Sequence, residues 1–474
     1  MAVYYEEKQH EPQIETSVVQ EASNEYPPSP STSCVEVVLE QFEATGRSNK
    51  NHERKKSIHR RDWLFQLLQK HASTHSSSNR NDLLKHKALV VAPMVDQSDL
   101  PFRLLCRRYG ANLCYTPMIH ARMFVNNEQG YQRKFWNAQE GTPDEDRPLI
   151  VQFAGGDPSI LVRAAKLVEH QCDAIDINCG CPQSIAKRGK YGAFLLEQEE
   201  QLVACVKALS EGVRCPITIK VRLLPSGVED SIKLYLKLID AGASMLCIHG
   251  RHRFQKGRLT GAADWNAIRQ VVNACGDRVP IIANGSCASL DDLEECLRFT
   301  GADGAMLSEA VLEYPPVFFV GNSLGERPSC RTGPGRLQIA REYMELCNRY
   351  PPNRGGQGSG TKCVKMHLHR FLHADLQSST ELRDMACLAQ TEEEMYEFLE
   401  KVHDYHQQIG HKVEHEELSW YFRYRNPDAR CLESSILPDN SSNKLPTDTK
   451  FELADEGATF ASCLFGTNDD DACY

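Results

Sequence analysis

The chain has 474 residues, 41% of them hydrophobic, and a formal net charge of −10. This length allows one large domain of roughly 250 residues and a smaller one, each with a proper core. No run approaches the ~18 apolar residues of a membrane span, and the nineteen cysteines are scattered through core-like segments with no signal peptide before them. We therefore expect a soluble intracellular protein, in the cytoplasm or nucleus, with reduced thiols.

Charge is distributed unevenly along the chain. Residues 1–45 carry nine acids against Lys8 alone, and residues 411–474 carry thirteen acids against six Lys or Arg. Residues 46–87 hold eleven Lys or Arg and three acids, and residues 331–370 hold eight and two. These basic blocks could follow a phosphate backbone, although a solvated face or a targeting tail explains the N-terminal block equally well.

Residues 1–86 are rich in Ser, Pro, Glu and Asn, which predicts a disordered tail with one short helix at RDWLFQLLQKH. From Lys87 onward, short apolar runs alternate with amphipathic stretches of helical length. The eight strand-like runs are ALVVAPM, ANLCYTPM, PLIVQFAG, CDAIDINC, PITIKVRL, ASMLCIHG, VPIIANGS and ADGAMLSE. Eight such strands with crossover helices, and no GxGxxG after the first, predict an α/β fold: a (β/α)8 TIM barrel over residues 87–325.

Helical patterns at 336–350, 362–377 and 391–408 predict a small α-helical domain over residues 326–410. In the last of these, one helical face carries Met395, Phe398, Leu399, Val402 and Tyr405. Residues 411–474 read as an acidic, mostly disordered tail.

Polar residues stand where the predicted strands end, and in such a barrel these ends meet at the active site. In chain order they are Pro93, Met94, Val95, Gln152, Asn178, Cys179, Cys181, Lys220, Arg222, His249, Arg251, Asn284, Gly285, Ser286, Ser308 and Glu309. Each has a structural explanation on its own, but their joint placement favours a cofactor with a hydrogen-bonding ring and a phosphate, held after strands seven and eight. A zinc site at Cys363, His367, His369 and His373 is the weaker idea, because the helical spacing supplies no second Cys pair.

Several segments resemble the tRNA-dihydrouridine synthases, most closely the eukaryotic branch that acts on positions 16 and 17 of the D-loop. The segments are APMVDQSDLPFR, DINCGCPQSIAKRGKYGAFLL, IKVRL, IHGRHRFQKGRLTGAADW, IIANGS and GADGAMLSEA. The resemblance covers roughly Leu89 to Phe319, and the segment through KMHLHRFLH is similar to that branch's helical tRNA-binding domain.

This resemblance implies FMN as prosthetic group, NADPH as reductant, a uridine of tRNA as substrate, and a monomer. The flavin-contacting positions would be Pro93, Met94, Gln152, Lys220, His249, Asn284, Gly285, Ser308 and Glu309, and we add Val95 and Ser286 as their neighbours. Asn178 would lie near the flavin and the uracil. Many relatives carry Gly-Arg where this chain has Ser308-Glu309, so backbone N–H groups would do more of the phosphate anchoring.

Cys181, in the Gly-Cys-Pro motif, matches the family's catalytic acid. A hydride delivered to uracil C6 leaves an enolate that must be protonated at C5, and a neutral thiol can donate that proton. Periodicity alone would not choose between Cys181 and Cys179. The uracil must leave its stack to reach the site, and we expect phosphate contacts on the loop from Lys187, Arg188 and Lys190.

We assign further RNA contacts to Arg222 and Arg251 at the strand ends, and to a basic surface of the helical domain. That surface would comprise Arg336, Arg341, Lys362, Lys365 and Arg370. Three other readings stay open: an FMN barrel that reduces a free pyrimidine, a non-catalytic tRNA-binding protein, and an aldolase-like barrel with Lys220 as Schiff base.

Overall fold

The computed structural model of the chain describes residues 62–75, 83–136, 145–319, 335–352 and 360–409. The acidic tail predicted at 411–474, and most of the tail predicted at 1–86, lie outside these residues. The short helix predicted within the N-terminal segment is present as α1, Trp63–His75.

The described residues form nine strands, all of them paired in parallel. They are β1 Ala88–Val91, β2 Leu113–Tyr115, β3 Ile119–His120, β4 Leu149–Ala154, β5 Ala174–Cys179, β6 Ile217–Leu223, β7 Ala243–His252, β8 Ile281–Asn284 and β9 Gly304–Leu307. Eight of these strands close into a barrel, because β2 pairs with β4 and β9 pairs back with β1. The two-residue β3 only extends the edge of β4. The predicted TIM barrel is confirmed, and each of the eight predicted runs contains one barrel strand.

Helices surround the barrel in the crossovers between strands. They are α2 Leu100–Arg108, α3 Ala121–Asn126, α4 Arg133–Phe135, α5 Pro158–Val168, α6 Ser184–Arg188, α7 Glu199–Gly212, α8 Val228–Asp240, α9 Trp265–Cys275, α10 Leu290–Thr300 and α11 Glu309–Glu313. Side-chain caps fix where several begin: Asp157 accepts from the N–H groups of Ser159 and Ile160, and Ser289 accepts from Asp292. Such caps satisfy N–H groups that the helix itself cannot bond.

Alternate residues of each strand face opposite sides of the barrel wall. In β1, Ala88 and Val90 belong to the apolar cluster inside the barrel. Leu89 and Val91 belong instead to the core between the barrel and its helices. The strand ends therefore present their polar side chains either to the barrel mouth or to the helix layer, according to their position in this alternation.

Helix α1 closes the N-terminal end of the barrel. Trp63 and Leu64 are buried in the interior cluster, and the Trp63 indole donates a 2.8 Å hydrogen bond to the Ser244 carbonyl at the start of β7. Helix α1 lies before residue 87, where the barrel was predicted to begin, yet its buried side chains belong to the barrel core.

Five helices follow the barrel: α12 Arg336–Arg349, α13 Thr361–Phe371, α14 His373–Ser378, α15 Thr380–Leu388 and α16 Glu392–Ile409. The helix predicted at 362–377 is thus two helices, and α15 was not predicted. Helix α12 packs against α2, so that Phe102 and Tyr343 share one apolar core. Four residues of the predicted α16 face are buried, whereas Tyr405 is only partly buried. Among the described helices, none has the length and apolarity that a bilayer crossing demands.

Candidate active site

Strand register brings the predicted residues together at the C-terminal mouth of the barrel. Asn178 of β5 is paired with Lys220 of β6, and Arg222 of β6 is paired with His249 of β7. His249 is in turn paired with Asn284 of β8. Because parallel strands carry their carboxyl ends to one side, these side chains form one ring around the mouth.

A chain of hydrogen bonds joins a buried carboxylate to the turn that holds Cys181. The Gln152 amide donates from Nε2 to Asp176 Oδ2 (2.8 Å) and accepts at Oε1 from Asn178 Nδ2 (2.8 Å). Asn178 Oδ1 then accepts from the backbone N–H groups of Gly180 (3.1 Å) and Cys181 (3.0 Å). Because Asp176 and the backbone fix the two ends, both amides have a defined orientation.

Asp176 was not among the predicted site residues. It is fully buried beside Gln152, and its other oxygen accepts a 2.6 Å bond from the Thr218 hydroxyl. Burial raises the pKa of Asp176 to about 7, although the hydrogen bonds from Thr218 and Gln152 and the charge of Lys220 oppose that rise. An acid within an apolar strand, two residues before Asn178 on the same face, was the signal available in the sequence.

Cationic side chains dominate the mouth. Burial lowers the pKa of Lys220, and burial followed by the charge of Arg251 lowers the pKa of Arg222 to about 10. The pKa of His249 lies well below its ordinary value, because of burial and then the charges of Arg222, Lys220 and Arg251. Arg251 Nη1 donates to His249 Nε2 at 3.0 Å, which makes that nitrogen the acceptor and places the proton on Nδ1. The site therefore favours an anionic ligand.

The turn after β8 requires a glycine. Gly285 has φ +111°, and a Cβ there would lie 2.7 Å from Ala263 Cβ and 3.0 Å from His249 Cδ2. Ser286 follows with φ +61°, and its hydroxyl accepts from the Ala263 N–H at 2.7 Å and from Arg251 Nη2 at 3.2 Å. Within the described residues, the backbone N–H groups of Ser286 and Cys287 donate to no backbone carbonyl. A left-handed turn with such N–H groups is typical of an anion-binding nest.

The two candidate thiols differ in exposure. Cys179 is completely buried in the strand, and burial raises its pKa well above the ordinary value. Cys181 is partly exposed in the turn beyond the strand. A negative charge on its sulfur would raise the pKa of both Lys220 and Arg222. Cys181 is therefore the thiol that a ligand in the mouth can reach.

Two groups hold the Cys181 turn from the sides. Arg222 Nε donates to the Gly180 carbonyl at 2.8 Å, and the Ala193 N–H donates to the Cys181 carbonyl at 2.9 Å.

The predicted phosphate contacts on the following segment, at Lys187, Arg188 and Lys190, are all exposed. Arg222 and Arg251 face inward, where they brace loops around the mouth, rather than outward toward solvent.

The remaining cofactor positions surround the same mouth. Pro93, Met94 and Val95 follow β1 and are partly exposed, and Ser98 Oγ holds that loop by accepting from the Met94 N–H and donating to its carbonyl. Ser308 and Glu309 follow β9 at the start of the short helix α11, and the Glu309 side chain is exposed.

The predicted basic surface of the helical unit is only partly free for RNA. Arg336 is buried, 8% exposed, and donates to the Glu313 carbonyl at 2.9 Å, so it is a packing residue and the assignment to RNA needs correction. Arg341 pairs with Glu400 at the surface (2.9 Å), and Lys365 donates to the Cys387 carbonyl. Arg370 donates to Gln97 of the loop after β1, and Lys362 is partly exposed.

The four residues of the zinc idea do not form one group. Cys363 and His367 lie together with Asp99, whereas His369 and His373 lie outside that group, with their ring centroids 6.0 Å apart.

Comparison with known proteins identifies the family of the chain. The profile of the dihydrouridine synthase family matches residues 90–409. The chain is 41% identical over 295 residues to "tRNA-dihydrouridine(16/17) synthase [NAD(P)(+)]-like" of Rattus norvegicus, covering 62% of each chain. It is 37% identical over 302 residues to "tRNA-dihydrouridine(16/17) synthase [NAD(P)(+)]" of Saccharomyces cerevisiae, covering 64% of this chain and 69% of the yeast protein. The protein of that name from Schizosaccharomyces pombe is 38% identical over 296 residues, or 62% of this chain and 71% of its own length.

The family match spans well over half of the chain, and it includes both the barrel and the helical unit. The chain belongs to the dihydrouridine synthase family. It spans less than two thirds of the length of the rat relative.

Proposed function

We propose that this chain is a flavin-dependent tRNA-dihydrouridine synthase. It reduces uridine to 5,6-dihydrouridine at D-loop positions 16 and 17, with FMN as prosthetic group and NADPH as reductant. The observation that carries this proposal is the partly exposed Cys181 thiol at the edge of a cationic barrel mouth, in a turn whose Cys181 backbone N–H donates to Asn178 Oδ1. The names of its relatives specify the tRNA positions.

The residues at the mouth fit a flavin mononucleotide. The turn at Gly285 and Ser286, with φ +111° and +61°, would hold the phosphate through its backbone N–H groups. The side-chain NH2 groups of Gln152 and Asn178 each donate one hydrogen within the protein, so each keeps a second hydrogen that it could donate to an acceptor of the flavin ring. Lys220 and His249 would complete the ring site, together with the loop of Pro93, Met94 and Val95.

The chemistry divides between a hydride and a proton. When bound, a reduced flavin supplies the hydride that uracil C6 accepts. Cys181 donates the proton that C5 then requires, and the resulting thiolate stands near the positive charges of Lys220 and Arg222, which stabilise it until solvent restores the proton. Over the whole reaction NADPH supplies two electrons, and uridine gains one hydride and one proton.

The substrate must present a single base outside its stack, which a D-loop pyrimidine does at low cost. Lys187, Arg188 and Lys190 are exposed beside the Cys181 turn and would contact phosphates next to that base. On the helical unit, Lys362, Lys365, Arg341 and Arg370 remain candidates for RNA contact. Of these, Arg341, Lys365 and Arg370 must first leave the protein partners that they hold in this structure.

The test compares Cys181→Ala with Cys179→Ala, which removes the neighbouring buried thiol. Each protein is incubated with dihydrouridine-free tRNA, FMN and NADPH, and dihydrouridine is mapped by position. We expect modification at positions 16 and 17 by the wild type and by Cys179→Ala, and a loss of about 10²–10⁴-fold in Cys181→Ala, the range for a general acid. Flavin reduction by NADPH should stay intact in Cys181→Ala, because it does not use the thiol.

Three results would contradict the proposal. Absence of dihydrouridine with the wild-type protein, although FMN and tRNA bind, would leave a scaffold or a small-pyrimidine reductase. Equal activity of Cys181→Ala and wild type would remove the thiol from the reaction. Borohydride trapping of a substrate at Lys220 without any bound flavin would favour the aldolase-like barrel.

A further inference from the structure

Three buried metal-ligand side chains meet where the barrel contacts the helical unit. Asp99 ends the loop after β1, and Cys363 and His367 stand four residues apart on one face of α13. One potential ligand atom from each of the three residues lies within 4.8 Å of the other two. Their side chains are 6%, 4% and 0% exposed, respectively.

The loop after β1 is bent toward this group. The Cys363 thiol donates to the Asp96 carbonyl at 2.9 Å and to Asp99 Oδ2 at 3.5 Å. Asp96 has φ +56°, a left-handed conformation that non-glycine residues adopt at a cost in strain. The same loop carries Met94, so the group lies one short segment away from the barrel mouth.

His367 is the second observation that points to a ligand. Its ring is stacked on Phe102 with 4.4 Å between centroids and meets the edge of Tyr343 at 4.9 Å. Neither ring nitrogen makes a hydrogen bond of normal geometry among the described residues. The Gln97 backbone interacts with the ring but not at that geometry, and a fully buried imidazole without a well-formed hydrogen bond destabilises the fold unless another group takes up one of its nitrogens.

The donor types of the group also suit a cation. Asp99 places a carboxylate, 6% exposed, in an apolar contact region, where the Cys363 thiol donates to it. A divalent ion together with one carboxylate and one thiolate would make the cluster electrically neutral.

We propose that Asp99, Cys363 and His367 form a binding site for a zinc-class divalent transition metal. Oxygen, sulfur and imidazole nitrogen are the three donor types that zinc takes in proteins. A water molecule would complete the four ligands that zinc takes. The Cys363 thiol would lose its proton to solvent on binding.

A metal ion at this site would link the barrel to the helical unit. Asp99 belongs to the loop that follows β1, and the two ligands on α13 belong to the helical unit. Arg370, on the same helix, donates to Gln97 of that loop, so the contact region continues around the group. The inference concerns this contact region alone and does not depend on the reaction proposed above.

The experiment uses the untagged full-length chain, purified without chelators, and three variants. Cys363→Ser removes the thiolate, His367→Phe removes the ligand nitrogen but keeps a ring for the Phe102 stack, and Cys387→Ser is the control for a thiol outside the group. Metal content is measured by mass spectrometry of the elements. Cobalt(II) titration then looks for the ultraviolet sulfur-to-cobalt absorption that only thiolate ligation gives.

We expect about one zinc per chain, and the cobalt–thiolate band, in wild type and Cys387→Ser. In Cys363→Ser the band should vanish, and in both ligand variants zinc affinity should fall by more than about tenfold. A wild-type protein that holds no zinc and gives no cobalt band would overturn the proposal, whether or not the variants fold. Unchanged zinc affinity in both folded ligand variants would overturn it as well.

Discussion

Replacing Asp176 with asparagine tests whether a carboxyl group inside the barrel is protonated near neutral pH. Asp176 is fully buried, accepts bonds from Gln152 and Thr218, and has a pKa raised by burial from 3.8 to about 7. Because the folded pKa exceeds the unfolded one, the folded state binds the proton more tightly. Its contribution to stability is therefore complete below pH 3.8 and is lost as the pH rises through 7.

The size of the effect follows from the two pKa values. A difference of about three pKa units corresponds to about 4 kcal/mol over the whole range, at 1.36 kcal/mol for each unit. Between pH 5 and pH 8 this group alone should lower the free energy of unfolding by about 2–3 kcal/mol. Asparagine does not titrate, so the variant should lack this part of the pH dependence.

The assay is equilibrium urea unfolding of wild type and Asp176→Asn at pH 5 and pH 8, at constant flavin content. Between the two conditions, the free energy of unfolding of the wild type should fall by about 2–3 kcal/mol more than that of the variant. Thr218→Val removes a hydrogen bond that lowers the pKa of Asp176, so this variant should move the pH midpoint upward. A stability difference between wild type and Asp176→Asn that does not change with pH would refute the reasoning.

Two further substitutions test the frame of the site. Gly285→Ala should lower the free energy of unfolding by about 1–3 kcal/mol through strain, since φ is +111° and the new Cβ would lie 2.7 Å from Ala263 Cβ. FMN binding should weaken as well. Unchanged flavin fluorescence titrations and unfolding curves would count against the predicted phosphate turn. Asp146→Ala should cost about 3–5 kcal/mol, because it leaves the buried guanidinium groups of Arg103 and Arg107 without a counter-charge. A thermal unfolding midpoint within error of wild type would show that these arginines find another partner.

The barrel was predictable because buried parallel strands appear in sequence as short continuous apolar runs. The same regularity identified the mouth, since Asn178, Lys220 and His249 stand at equivalent positions near the strand ends. Asp176 escaped prediction because its role depends on Thr218 and Gln152 of the neighbouring strands, which only register brings beside it.

The basic surface shows where charge patterning is insufficient. Composition cannot tell an exposed arginine from one that packs inward, and Arg336 is buried against Glu313 although it belongs to a basic block. The group of Asp99, Cys363 and His367 was missed for a related reason. Asp99 lies 264 residues before Cys363 in sequence, and a helical spacing of histidines suggested the wrong partners for Cys363 and His367.

The docking of α1 has a consequence for synthesis of the chain. Trp63 bonds to Ser244, which is 181 positions later in sequence. At the translation rates of cells, of about 5–20 residues per second, the first segment waits roughly 10 to 40 s on the ribosome before its partner emerges. During that interval the indole and Leu64 have no barrel to enter, so the nascent chain presents a hydrophobic segment that chaperones can bind. The N-terminal end of the barrel can close only after Ser244 has been synthesised.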